Sequence, residues 1–339
     1  MQKPSAHDRA KQFSRPRVIT FRQFLNSDPP GLARVMTEHF RAAGLDAPID
    51  GARLDALIFS RLLFDPQQYL VAVDDAQPDQ PLAFCHWTEL PPAPPETSPR
   101  LPEISLALIC VGTHSDRAGL AQALLQTAEV QWRARQASLV LGGTLHPHGG
   151  PYLGMPPLHG LAGVPDADHE TAAWLSERGF VPRERWEHFS LSLDQLRAPV
   201  DRELLLLRRQ CAVQPFEAPP PVDRRRALAA AGFDIEGFRL TEPRQPTAQR
   251  TIEMWLDDPE FGPSGSTGAI LNELPADNAA DPRYRLLLAE ALRALAQQRR
   301  LRVVTALPLG SPWAPFLAAL GFRASGLGAI FQKQLTGIA

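Results

Sequence analysis

The chain has 339 residues, of which 44% are hydrophobic and 21% charged, a composition typical of a folded globular protein and not of a disordered one. Its 35 basic and 37 acidic residues give a formal net charge of −2, which argues against nucleic acid as the main partner. The length exceeds what a single core usually organises, so we expect two domains.

The sequence also bears on location. It contains no apolar run near the roughly 18–20 residues that cross a bilayer, so we expect no membrane association. Residues 1–17 are polar and basic, which differs from a secretory signal and predicts a disordered tail. Cys85, Cys110 and Cys211 are far apart in the sequence and lack the spacing of metal ligands. This pattern is typical of reduced thiols and argues against a disulfide scaffold. Together these features predict a cytoplasmic protein.

Helix and strand patterns alternate through the first 198 residues. Alternating apolar residues over 18–24 predict a strand, and helical spacing over 32–43, which includes His39, predicts a helix that ends at Gly44. The next predicted elements are a helix (54–63), a hairpin (69–73 and 82–87), a buried strand (104–111), an amphipathic helix (120–135), a strand (139–141), a helix (171–178) and a strand (186–193). This order indicates an α+β fold.

The order helix, strand, helix, Gly-Phe and strand occurs twice along the chain. The first copy contains Gly179-Phe180 and the second contains Gly321-Phe322. This shared ending favours a structural duplication over a coincidence of generic elements. The last predicted strand of the first copy, 186–193, ends shortly before residue 200, so we predict an N-terminal domain over 18–198 and a C-terminal domain over 199–339.

The segment between the buried strand and the amphipathic helix is the most informative for function. Val111 ends the strand, and Gly119 and Ala121 lie where the helix begins. Small residues there let a ligand approach the backbone, where unpaired amides and the positive helix end favour a phosphate. The alternative is that these residues form a tight turn that binds no ligand.

This segment resembles the hallmark of the Gcn5-related N-acetyltransferase (GNAT) superfamily, which is a strand ending in Val, a Pro two residues later, and R-x-x-G-x-G or R-x-x-G-x-A opening a helix. Val111, Gly119 and Ala121 match, whereas Thr113 stands at the Pro position and Asp116 at the first Arg. The order of elements over about 18–195 is similar too, with a weaker copy over about 200–339. The chain therefore resembles a tandem acetyltransferase, each domain a mixed, mostly antiparallel sheet flanked by helices.

The resemblance implies that acetyl-CoA, as co-substrate, lies between the strands 104–111 and 139–141. An amide near Cys110 or Val111 would polarise the thioester carbonyl, and an amine on a small molecule or peptide would attack it with help from a general base. Glu103 is the candidate catalytic residue, and the alternative is a solvated carboxylate at a strand end. The implied cofactor-binding residues are Cys110, Val111, Asp116, Arg117, Ala118, Gly119, Leu120 and Ala121.

Other residues also depart from the family pattern. The Tyr that many members use as a general acid is replaced by Leu175 in the first copy and Leu317 in the second. Alignment of the second copy places Leu287 opposite Gly119 and Tyr284 opposite Asp116. A leucine would prevent close approach to the backbone, so we expect the C-terminal domain not to bind acetyl-CoA.

The insertion over 142–169 holds four histidines among many Gly and Pro residues. It lacks the usual spacing of metal ligands, so we expect a lid over the pocket and no metal site. Tyr152 lies in this insertion and is a candidate replacement for the missing acid. The four histidines are His146, His148, His159 and His169.

Two functions remain open on the sequence. The first is an N-acetyltransferase that transfers an acetyl group from acetyl-CoA to an unidentified amine, which the retained Gly119-Leu120-Ala121 favours. The second is a catalytically inactive GNAT-like protein that binds CoA or a protein partner, which Asp116 and Leu175 favour.

Overall fold

The computed structural model of the protein describes residues 18–45, 49–61, 64–90, 101–143, 150–155, 162–197, 201–219, 224–230, 232–242, 250–257, 267–274 and 276–335. The tail predicted over 1–17 lies outside these residues, as do 144–149 and 156–161 of the insertion. Within the described ranges, no helix is both long and apolar enough to span a membrane.

The N-terminal half follows the predicted order of helices and strands. Its third and fourth helices each begin at an aspartate, Asp116 and Asp168, whose carboxylate accepts a hydrogen bond from an amide of the first turn, as an N-cap does. The predicted helix 54–63 is instead a short helix that continues as a π-helical turn (Asp55–Phe59). The elements are β1 (Ile19–Gln23), α1 (Pro29–Ala42), α2 (Gly51–Leu54), β2 (Tyr69–Asp74), β3 (Gln77–Leu90), β4 (Glu103–Val111), α3 (Arg117–Ala134), β5 (Leu139–Gly142), β6 (Val164–Pro165), α4 (His169–Glu177) and β7 (Val181–Ser192).

The C-terminal half repeats this plan after an additional helix, α5. Aspartates again cap two of its helices, α5 at Asp201 and α7 at Asp281. The elements are α5 (Arg202–Gln210), β8 (Ala212–Glu217), α6 (Arg224–Ala230), β9 (Phe233–Thr241), β10 (Arg250–Asp257), β11 (Gly268–Leu271), α7 (Pro282–Gln297), β12 (Arg302–Pro308), α8 (Ala314–Leu320) and β13 (Arg323–Gln334).

One sheet runs through both halves in the order β1-β2-β3-β4-β5-β13-β7-β12-β11-β10-β9-β8. Two neighbouring pairs along this path, β4 with β5 and β11 with β12, are parallel, and the others are antiparallel. The strands of the two halves follow one another in the same order from each edge of the sheet. Each half has one parallel pair, which lies toward the middle of the sheet. The predicted α+β class and the mixed, mostly antiparallel sheet are confirmed.

The last strands of the two halves are exchanged. β13, from the C-terminal half, pairs with β5 of the N-terminal half over residues 331–334 and 139–142. β7, from the N-terminal half, pairs with β12 over residues 186–192 and 302–308. In space, therefore, each half is completed by a strand of the other, and the domain boundary at residue 198 stays a prediction.

The Gly-Phe endings have one structural role in both halves. Gly179 follows α4 with φ 81° and Gly321 follows α8 with φ 103°, the left-handed region that glycine adopts without strain. The phenylalanines that follow are buried, Phe180 in the core of the N-terminal half and Phe322 in that of the C-terminal half. Each turn sends the chain from its helix into the strand that is exchanged.

A hydrophobic cluster joins the halves at the exchange. Trp186 of β7 and Ile330 of β13 pack in it with Trp255 and Ile270 of the C-terminal half and Leu141 of the N-terminal half. Burying large apolar side chains contributes roughly 1.5–3 kcal/mol each. The junction is therefore a core in its own right and not a linker between independent domains.

The exchange predicts that residues 1–198 do not fold alone. β5 would lose β13, and β7 would lose both of its neighbours, and unpaired strand edges promote aggregation. Expressed alone, this fragment should aggregate or unfold without a cooperative transition, and co-expression with residues 199–339 should restore a soluble complex in size-exclusion chromatography. A monomeric 1–198 fragment that unfolds cooperatively would contradict the prediction.

Candidate functional site

The parallel strands β4 and β5 separate part of the way along their length. They pair from Glu103–Leu139 to Leu106–Gly142, and beyond this point β4 continues next to β3 alone. The register between β3 and β4 skips Ala107, so this residue forms a β-bulge where the two strands diverge. The divergence creates the cleft in which the family resemblance places the acyl donor.

The cleft has mostly apolar walls and is narrow. Its cavity of about 30 Å³ has room for a water molecule or two. Leu175, at the position of the family's tyrosine acid, lines it without supplying a proton donor. The lining residues are Phe40, Leu106, Ala107, Leu108, Ile109, Gly143, Gly163, Val164, Pro165, Asp168, Thr171 and Leu175.

The loop after β4 uses its amides internally. The N–H of Gly119 donates to Oδ1 of Asp116 at 2.8 Å, and the N–H of Thr113 donates to Oε2 of Glu38 at 2.6 Å. The pKa of Glu38 is below its usual value, because the hydrogen bond from Thr113 and the charge of Arg34 outweigh the effect of partial burial. The amide of Gly119, at the helix start expected to receive a phosphate, and the amide of Thr113 are thus already bound to carboxylates of the chain.

Arg117 closes the same loop from the other side. Its guanidinium donates to the carbonyl oxygens of Val111 at 2.6 Å and Gly112 at 2.7 Å. It also forms a salt bridge of 2.6 Å with Glu170 in the first turn of α4 and lies over the ring of Trp174. Arg117 therefore ties the loop to α4 and is not free to receive an anion.

A buried His–Asp pair lies behind this contact. His39 on α1 and Asp168 are both buried, with Nε2 and Oδ2 3.1 Å apart. Arg117 is only a donor and approaches Nδ1 of His39 at 3.4 Å, so Nδ1 accepts and Nε2 carries the proton. Burial raises the pKa of Asp168, but the bonds from His39 and Thr171 outweigh it and hold the pKa below normal. The sequence pattern placed His39 only on an apolar helix face and gave no sign of this partner.

The structure separates the residues predicted to form the site. Val111, Asp116, Arg117 and Gly119 meet around the loop, whereas Cys110 is fully buried, which raises the pKa of its thiol. The side chains of Leu120 and Ala121 lie in the core beneath α3, and that of Ala118 is exposed. The binding roles of these residues stay predictions.

Glu103 lies at the opposite end of β4 from the loop. It pairs with Leu90 of β3 and Leu139 of β5 at the first position of the strand. It lies four positions before the bulged Ala107, a distance of about 13 Å at the usual rise per residue. This placement fits the alternative for Glu103, a solvated carboxylate at a strand end. A catalytic role for Glu103 stays a prediction.

Tyr152 of the insertion belongs to a buried polar cluster. Its hydroxyl is 3.0 Å from Nδ1 of His86 on β3 and 3.5 Å from the hydroxyl of Tyr69 on β2. Burial lowers the pKa of His86 to about 3 and raises that of Tyr152. Residues 150–155 of the insertion thus pack on the sheet near the bulge, because a Cβ on Gly150 would lie 3.6 Å from that of Ala107.

Among the described residues, no group of His, Cys, Asp and Glu side chains could hold a metal ion. His146, His148 and His159 lie outside the described residues, and His169 is exposed at the start of α4.

The corresponding place in the C-terminal half is an open pocket. It has a volume of about 260 Å³ and lies at the end of β11, and its lining includes Arg226, Glu253, Asn272, Glu273 and Tyr284. Asn272 is only 4% exposed, and its Oδ1 has no hydrogen-bond partner.

Helix caps correct the alignment of the two copies. Asp116 caps α3 and Asp281 caps α7, so the third helical residue is Gly119 in one and Tyr284 in the other. The alignment that placed Leu287 opposite Gly119 was therefore wrong by about one turn, because the connection before α7 is longer. A large side chain still stands at the glycine position.

Burial of His86 predicts a fall in stability on mild acidification. The pKa of His86 is about 3 in the folded protein and near 6.5 in an unfolded chain, so the unfolded state takes up a proton first and stability falls as pH drops below about 6.5. One such group lowers the free energy of unfolding by about 2 kcal/mol between pH 7 and pH 5.

Urea unfolding at pH 7, 6 and 5 measures this slope. The variant His86→Gln should flatten it, and His169→Gln, which alters an exposed histidine, should not. Equal slopes in wild type and His86→Gln would show that His86 does not carry the effect.

Comparisons with known proteins identify the fold. No family model matches the chain, and no curated protein matches it in sequence. A GCN5-related N-acetyltransferase from Sphaerobacter thermophilus superposes with a TM-score of 0.60 at 12% identity, over 93% of this chain and 95% of that one. A tandem GNAT protein from the clavulanic acid biosynthesis pathway gives 0.58 at 14% identity, over 95% and 100%.

A third structure is part of a larger enzyme. It is described as a glucosamine N-acetyltransferase region of a fungal multi-domain GH3 β-N-acetylglucosaminidase and gives a TM-score of 0.62 at 13% identity, over 94% of this chain and 38% of that one. Identities this low establish architecture and not activity. With the repeated strand order and the exchanged final strands, these matches show that the chain has the fold of tandem GCN5-related N-acetyltransferases.

Proposed function

We propose that the protein is an N-acyltransferase that takes an acetyl group from acetyl-CoA and transfers it to an amine. The observation that carries the proposal is the divergence of β4 from β5 at Ala107, which opens a mostly apolar cleft between two parallel strands. The tandem GNAT fold over nearly the whole chain supports it. The acceptor is a small molecule or a peptide that carries an amine.

The cleft suits the acyl end of such a donor. Its apolar walls exclude water and so limit hydrolysis of a thioester. A bulged residue is left out of the strand ladder, and a backbone amide at this point of β4 can donate to an oxygen that gains negative charge. In the transfer, the amine nitrogen bonds to the carbonyl carbon, the carbon–sulfur bond breaks, and the proton lost by the amine balances the thiolate.

The loop suits the phosphate end of the donor less well. The amides of Thr113 and Gly119 are bound to carboxylates, and Arg117 is bound to Glu170. These contacts, with Leu175 in place of the acid, favour the second candidate, a non-catalytic protein with the same fold. The two candidates differ in whether acetyl-CoA is consumed: the acyltransferase consumes it, and the non-catalytic protein does not.

The experiment measures release of free thiol from acetyl-CoA in the presence of a polyamine, glucosamine or a lysine-containing peptide. We expect amine-dependent thiol release with at least one of these acceptors. The variant Ala107→Leu should abolish it, because the larger side chain fills the cleft, at a cost of about 1–3 kcal/mol in stability. Ala134→Leu, the same change at an exposed position of α3, should retain activity.

Two outcomes would reject the acyltransferase. One is the absence of amine-dependent release with all three acceptors, which would leave the non-catalytic protein as the better account. The other is full activity in Ala107→Leu at unchanged stability, which would place the reaction outside the β4–β5 cleft.

A further inference from the structure

Both glycines of the loop after β4 face a carboxylate. A Cβ built on Gly119 would lie 2.2 Å from Oδ2 of Asp116, and one built on Gly112 would lie 2.8 Å from Oε2 of Glu38. Glycines at the start of a helix usually let a ligand approach the backbone. Here the space that they leave is filled by the protein's own anionic groups.

The charges around the loop also oppose the binding of a pyrophosphate. Glu38, Asp116 and Glu170 are acidic, and the two cations beside them are already engaged, Arg34 with Glu38 at 3.1 Å and Arg117 with Glu170. A pyrophosphate brought to the start of α3 would lie against Asp116 and Glu38 and would have to displace both from their amides. Like charges at contact distance repel strongly near a protein surface.

We propose that Asp116 and Glu38 are specificity-determining residues that exclude the donor's pyrophosphate from the loop, so that the N-terminal half recognises only the pantetheine end of the donor. This inference rests on the proposed function for its choice of donor. It concerns binding, however, and is testable whether or not the bound donor reacts.

The test compares the dissociation constants of CoA and of pantetheine, which lacks the nucleotide and its phosphates, by isothermal titration calorimetry on the full chain. Wild type should bind the two with constants within about tenfold of each other, because the phosphates add no favourable contact. The double variant Asp116→Asn with Glu38→Gln should bind CoA about tenfold more tightly than wild type does, since two like charges are removed at contact distance.

The substitutions preserve the local structure. Asn is as good an N-cap as Asp, and Gln keeps an oxygen that can accept from Thr113. Asp201→Asn makes the same change at the cap of α5, where Asp201 accepts from the N–H of Glu203, and serves as the matched control. It should bind CoA as wild type does.

Two results would overturn the inference. One is a wild-type preference for CoA over pantetheine above about tenfold, which would mean that the phosphates are held. The other is an unchanged CoA constant in the double variant. If wild type binds neither molecule, a gain of CoA binding in the double variant supports the inference and no gain overturns it. Failure of the proposed function appears separately, as absent thiol release.

Discussion

The antiparallel pairing of β7 with β13 is the interaction on which the rest of the structure depends. It lies at the centre of the sheet and joins the two sets of strands. It also builds the cleft of the N-terminal half, because β6 pairs with β13 and Gly163 lies against the backbone of Ala329. One wall of the cleft is therefore held in place by the last strand of the other half.

The two halves keep one architecture but treat the helix start after their central strand differently. In the N-terminal half, side chains fill the loop, and Arg117 bridges it to α4. In the C-terminal half the matching place is an open pocket with Tyr284 at the glycine position and the carboxylates of Glu253 and Glu273 in its lining. Bare amides and free cations favour a phosphate, whereas in the N-terminal half the amides of Thr113 and Gly119 are bound to carboxylates and Arg117 is bound to Glu170. The two halves thus share an architecture but place different groups at this helix start.

Much of the fold could be predicted from the sequence, because it depends on local patterns. The continuous apolar run of β4 marked a strand covered on both faces, and the repeated Gly-Phe endings marked equivalent turns. The exchange of the last strands could not be predicted, since β7 and β13 have the same pattern whichever half they pair with. Register between distant strands depends on packing at the junction and not on local propensity.

The start of α3 could be predicted from the sequence, but the contacts made there could not. Gly119 and Ala121 marked the helix start, and Asp116 marked a departure from the family pattern. The sequence did not reveal that Glu38 reaches Thr113 or that His39 meets Asp168, since these residues are 75 and 129 positions apart. Contacts of this range depend on how α1 packs across the end of β4.

Amide hydrogen exchange resolved by residue, with and without CoA, tests the central claim most directly. The amides of Thr113 and Gly119 are bound to Glu38 and Asp116, so under the proposed function they do not contact the donor. We expect CoA to increase protection along residues 106–109 of β4 and to leave the exchange rates of Thr113 and Gly119 unchanged. Strong new protection at Thr113 and Gly119 would show that phosphates displace the carboxylates, and would contradict this expectation.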